Sequence, residues 1–83
     1  MMKLLVRNLA RNTTEAELRN LFEAHGIVAS CDLVLDQQTG KSKGFGFVEM
    51  PDPADAKAAI KGLNGTDVAG NRIRVKLDES SNA

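Results

Sequence analysis

The 83-residue chain reads as a single α+β domain in which a four-stranded antiparallel sheet carries two helices on one face, in the order βαββαβ. Three observations lead there. Two segments repeat their apolar residues at helical spacing, and each opens on a helix cap. Four segments alternate apolar and polar residues as strands do. The polar connection Gln37-Gln38-Thr39-Gly40-Lys41-Ser42 joins the middle two of these as an antiparallel hairpin.

Residues 3–8 alternate as the first strand, with Leu4 and Val6 on one side and Lys3, Leu5 and Arg7 on the other. Thr14-Glu15-Ala16-Glu17 has the spacing of a capping box, so a helix is expected over about residues 15–25, burying Leu18, Leu21 and Phe22 and stopped by a left-handed Gly26. Residues 27–36 form the second strand, with Cys31, Leu33 and Leu35 facing one way and Ser30, Asp32 and Val34 the other. In the third strand Lys43, Phe45, Phe47 and Glu49 share one face, and Gly44, Gly46, Val48 and Met50 the opposite one. Asp52 caps the second helix, Pro53 occupies its first turn where a missing N–H does no harm, and Ala56, Ala59, Ile60 and Leu63 form its apolar stripe up to Asn64-Gly65. Residues 71–77 are the last strand, with Ile73, Val75 and Leu77 inward and Arg72, Arg74 and Lys76 outward. This order is the split βαβ, or ferredoxin-like, arrangement. Both helices then cover the same face of the sheet and leave the other open. The domain is expected over residues 1–78, with 79–83 a disordered tail.

Apolar residues make up 42% and charged residues 27%, ordinary values for a soluble globular protein, and no apolar run approaches the roughly 20 residues of a membrane helix. The apolar stretch before Arg7 is too short for a secretion signal, so a cytoplasmic location without membrane association is expected. The one cysteine, Cys31, excludes an intramolecular disulfide and is expected inside the sheet as a small apolar filler. His25 reads as a helix-end residue with no catalytic partner. The chain lacks metal-binding Cys/His spacing and a phosphate-loop signature, so no metal, cofactor or catalytic residue is expected.

Eleven Lys and Arg balance eleven Asp and Glu, and neutrality by itself argues against a polyanionic partner. The distribution argues for one. Lys3, Arg7, Lys43, Arg72, Arg74 and Lys76 fall on the open face against Asp32 and Glu49, while the helices hold an excess of carboxylates. Edge protection of the last strand competes as an explanation for its cations, most evenly at Arg72. It does not apply to Lys3 and Arg7, whose strand is expected to be central. Asp32 would repel phosphate on this face, either as a solvated edge carboxylate or as an acceptor for a base amino group.

The stretch Lys43-Gly44-Phe45-Gly46-Phe47-Val48-Glu49-Met50 places two rings and a cation on that open face. It matches, at all but its last position, the octapeptide of the RNA recognition motif family, which the chain resembles over about residues 2–77. Leu4-Leu5-Val6-Arg7-Asn8-Leu9 sits where the family has its hexapeptide. The chain is similar in particular to small bacterial and cyanobacterial proteins built from one such domain. The resemblance implies that Phe47 stacks under one base, Phe45 packs against a sugar or adjacent base, and Lys43 pairs with a phosphate. Leu5 stands where the family usually has a third stacking ring, which predicts weaker binding. Met50 replaces the last aromatic on the core side, where methionine fills the space.

The reading is therefore a non-enzymatic, monomeric protein that holds a few nucleotides of single-stranded RNA, with single-stranded DNA left open as a ligand. Phe45, Phe47 and Leu5 supply contact surface, and Lys3, Arg7, Lys43, Arg74 and Lys76 meet the backbone. The alternative is a protein-interaction module of the same fold with weak RNA affinity, favoured by the apolar Leu5 beside two rings. A small phosphatase on this architecture finds little support, because the loop 8–13 offers just Arg11 and no glycine cradle.

Overall fold

A computed structural model describes residues 2–78; the tail expected at 79–83 lies outside the described residues. In chain order the elements are β1 (Met2–Arg7), α1 (Glu15–Glu23), β2 (Ser30–Leu35), β3 (Ser42–Met50), α2 (Pro53–Leu63), β4 (Asp67–Val68), β5 (Asn71–Arg72) and β6 (Arg74–Leu77). The main sheet has the order β2-β3-β1-β6 with every neighbouring pair antiparallel, so β1 is central and β2 and β6 are edges.

The caps act as the residue types dictate. The Glu17 N–H donates to Thr14 Oγ1 at 3.2 Å while the Thr14 N–H donates to Glu17 Oε1 at 3.2 Å, a complete capping box. Asp52 accepts from the Ala54 N–H at 2.9 Å and opens α2 directly before Pro53. Leu18 and Phe22 of α1 and Ala56, Ala59 and Leu63 of α2 then pack on Leu4, Val6, Cys31, Val48, Met50 and Val75 from one side of the sheet. With only two layers, the molecule is 18 Å through its shortest dimension, and the far side of the sheet stays uncovered.

Three local expectations need correction. α1 ends at Glu23 with Ala24 in right-handed conformation, and Gly26, at φ 158°, is not a left-handed stop. A Cβ at Gly26 would collide with the Asp55 side chain, so the glycine serves close approach of α2. Beside it, a Cβ at Gly62 would stand 2.6 Å from His25 Cε1, which makes His25 a packing residue between the helices.

In β2 the pairing shifts between Leu33, opposite Gly46, and Leu35, opposite Ser42. The irregularity leaves Leu35 49% exposed rather than in the core. The Asp36 carboxylate drives the following turn by accepting from the N–H groups of Gln38 at 2.8 Å and Thr39 at 3.2 Å.

The last strand is interrupted at Ile73. Its N–H donates to Thr66 O at 2.9 Å and its carbonyl accepts from the Gly65 N–H at 2.8 Å, which ties it to the loop after α2. Residues before it form a separate β4–β5 hairpin around Ala69-Gly70, both at positive φ as a two-residue primed turn requires. Ile73 is nonetheless fully buried, as its place in the alternation predicted. On β6 the Val75 N–H donates to the side-chain oxygen of Asn64, the residue that caps α2, at 3.1 Å.

Candidate nucleic-acid interface

Strand register builds the open face. Asp32 lies opposite Phe47, Phe47 opposite Leu5, and Leu5 opposite Lys76, so one line across all four strands carries a carboxylate, a ring, an apolar branch and an ammonium. Glu49 lies opposite both Ser30 and Lys3, and Arg7 opposite Arg74. Directly opposed side chains have Cβ atoms about 5 Å apart, so these are lateral neighbours.

Phe45 and Phe47 are half-buried and stand outside the core cluster. Their centroids are 6.4 Å apart and the ring planes meet at 87°, edge to face. They are two surfaces of different orientation, not one flat platform. Lys3 Nζ sits 4.7 Å from the centroid of Phe47, within cation–π range.

The glycines between the rings have separate causes. Gly44 adopts φ 85°, and its carbonyl accepts from the Leu9 N–H at 2.8 Å, which folds the loop after β1 against the start of β3. At Gly46 a Cβ would lie 2.6 Å from the Asp32 carbonyl oxygen and 3.2 Å from Leu18 Cδ2. Helix α1 therefore presses on β3 from behind, directly beneath the rings.

Each predicted site residue reaches this face or its rim. Lys3, Leu5 and Arg7 come from β1, Phe45 and Phe47 from β3, and Arg74 and Lys76 from β6. Lys43 lines a cleft at one end of the face with Arg7, Asn8, Arg11, Phe45 and Asn71. Arg72 departs: on the small hairpin, it pairs with Asp67 at 3.7 Å.

Arg11 was not among the predicted contacts. Its guanidinium passes over Gly44, with Nε 3.7 Å from where a Cβ would stand. The Leu9–Gly44 bond that brings it there links residues 35 positions apart, and no local pattern marks it. Asn8, at φ 61°, holds the neighbouring hairpin by donating to Arg72 O at 2.7 Å, and Asn71 donates back to Asn8 O at 3.3 Å.

Cys31 and Asp36 titrate away from their ordinary values, each for a local reason. Burial, and then Glu15, push the Cys31 thiol up to about 11, so it is neutral filler. The N–H groups of Gln38 and Thr39 hold Asp36 below the usual carboxylate range, with smaller contributions from Lys43 and Arg11. Among the described residues, no three His, Cys, Asp or Glu are grouped to hold a metal ion, and no helix is long and apolar enough to cross a membrane.

A four-stranded sheet with an open ring-bearing face and two helices behind it defines the RNA recognition motif class, and the chain belongs to that family, whose model matches residues 4–74. Among individual proteins it is similar to small ribosomal subunit protein cS22 of Spinacia oleracea, with 39% identity over 77 residues. That match takes in 93% of this chain and spans 30% of the spinach protein. The crystal structure of RNA binding protein PG1 superposes with a TM-score of 0.89 at 39% identity, covering 93% of each chain. The Sxl-lethal protein in its complex with RNA superposes with a TM-score of 0.85 at 38% identity, over 89% of this chain and 44% of that one.

Proposed function

We propose that this chain is a non-enzymatic single-stranded RNA-binding domain that lays a few nucleotides across β3, β1 and β6. Phe47 stacks a base, Phe45 meets a sugar or the next base, and Leu5 adds apolar contact. Lys3, Arg7, Lys43, Arg74 and Lys76 neutralise or hydrogen-bond the backbone. The observation that carries this reading is the pair of phenyl rings, left accessible on a sheet face whose other side already holds the core. The likeness to a protein solved with RNA supports it. The chain acts as a monomer in this reading, and single-stranded RNA and DNA titrated in parallel tell the two ligands apart at the 2′-hydroxyl.

The test follows backbone amide signals while short single-stranded RNA pools are titrated, and repeats the titration with Phe47→Ala. Shifts on β1, β3 and β6 that weaken in the variant support the reading; shifts confined to the helices, or undiminished binding, reject it. Arg74→Ala should weaken binding more than Arg72→Ala, since Arg72 is engaged with Asp67.

A protein-docking face is the second reading, resting on Leu5 beside Phe47. Salt separates the two, because phosphate contacts lose affinity steeply as salt rises and an apolar patch does not.

A further inference from the structure

The open face is divided by charge. Asp32 on β2 lies on one side of Phe47, whereas Lys3 and Arg7 on β1 and Arg74 and Lys76 on β6 lie on the other. Phosphates are drawn to the β1–β6 side and repelled from the β2 side. A base stacked on Phe47 therefore has its sugar toward β1, and its Watson–Crick edge toward β2. What it meets there is Asp32, the residue directly opposite Phe47. Asp32 is exposed, and its carboxylate has no hydrogen bond or ion pair among the described residues, although every neighbouring strand is paired.

A carboxylate offers two acceptor oxygens side by side and no donor. Guanine alone presents two adjacent donors on its Watson–Crick edge, N1–H and the N2 amino group. Adenine and cytosine each place an amino group beside a ring nitrogen acceptor, and uracil sets its single N–H between two carbonyls. Against those three, one carboxylate oxygen faces another acceptor. Glu49 stands two residues further along β3, opposite Lys3 and Ser30, and not at the ring.

We propose that Asp32 reads the base stacked on Phe47 and selects guanine there. This rests on the RNA-binding reading above and adds the identity of one base. Lys3, now over the ring, gives way to that base and turns to a phosphate.

The experiment titrates the full chain with fluorescently labelled uridine hexamers carrying a single G, A or C at each position in turn. At one position, guanine should bind roughly tenfold more tightly than the other three bases, the order of a bidentate base contact. Asp32→Ala should abolish that preference and at the same time raise affinity for the all-uridine hexamer, because a like charge has been removed from the face. Asp32→Asn, with one acceptor and one donor group, should retain less of the preference than the wild type. A purely structural role for Asp32 would not move the two ligands in opposite directions. Binding without a guanine preference, or a preference that survives Asp32→Ala, overturns the proposal while leaving RNA binding intact. No binding to any hexamer overturns the RNA reading itself.

Discussion

The ammonium of Lys3 stands 4.7 Å from the centre of the Phe47 ring, reaching across from the adjacent strand. It occupies the space that a base stacked on Phe47 would need, so the proposed binding mode requires Lys3 to leave the ring for a phosphate. Lys3→Met keeps the apolar stem and removes the charge. Affinity should fall at low salt, and the slope of log affinity against log salt should become shallower by about 0.7, one phosphate's share. Titrations at several salt concentrations measure this; an unchanged slope would mean that Lys3 never leaves the ring for the backbone.

Leu5 lies between Phe47 and Lys76 and is the apolar member of the line across the sheet. Leu5→Phe adds a π-face where binding now has only a branched chain. A stacked ring is worth roughly 1–3 kcal/mol, and an existing leucine contact supplies part of that, so about a tenfold gain in RNA affinity is expected. The side chain is on the open face, and thermal stability should hardly change. Equal or weaker binding of the variant would place the RNA elsewhere.

Gly46 is where the binding strand and the core meet. A methyl there would face the Asp32 carbonyl of the next strand at 2.6 Å, and backbone cannot rotate aside as a side chain does. Gly46→Ala should lower unfolding free energy by about 1–3 kcal/mol through overpacking. Urea denaturation should show a lower midpoint at the same slope. Gly40→Ala is the contrast: the site is open space at φ 73°, so only the backbone penalty of about 1 kcal/mol remains.

Most of the architecture was legible because its signals are local. Thr14 and Glu17, Asp52 and Pro53, and the alternation through Phe45, Phe47 and Val48 each lie within one element, and the elements formed where those residues imply. What escaped depends on contacts between distant segments. Leu35 turns outward because the pairing of β2 with β3 shifts, Ile73 leaves the ladder because the loop at Gly65 and Thr66 captures its backbone, and Gly26 answers to Asp55 on the other helix. At the site, residue types indicated which face stays open and carries the rings. The Lys3–Phe47 contact, the placement of Asp32 against the ring and the approach of Arg11 to Gly44 follow from register and loop closure, which alternation alone does not specify.

Cys31 supplies a pH dependence with a definite sign. Its thiol is raised from 9.0 to about 11, chiefly by burial, so the folded chain holds the proton more tightly than the unfolded one. That stabilisation is complete below pH 9 and is lost as pH climbs from about 9 through about 11, where the unfolded thiol ionises first. Cys31→Ala should lose some stability at neutral pH from the smaller core residue, yet decline less steeply across that window. Unfolding curves at pH 8, 9, 10 and 11 compare the two; parallel declines would show that the thiol titrates the same way in both states.

The Asn64 side chain bears on how the sheet meets other molecules. Sheets are extended by a visiting strand that bonds to the unused amides along an outer border, the route by which folded proteins polymerise. On β6 the Val75 amide is already engaged by Asn64 from the end of α2, and the strand runs for only four residues. A visiting strand at this border thus finds one of its few attachment points already taken from within, so β6 is a poorer template than its exposed position in the sheet would make it.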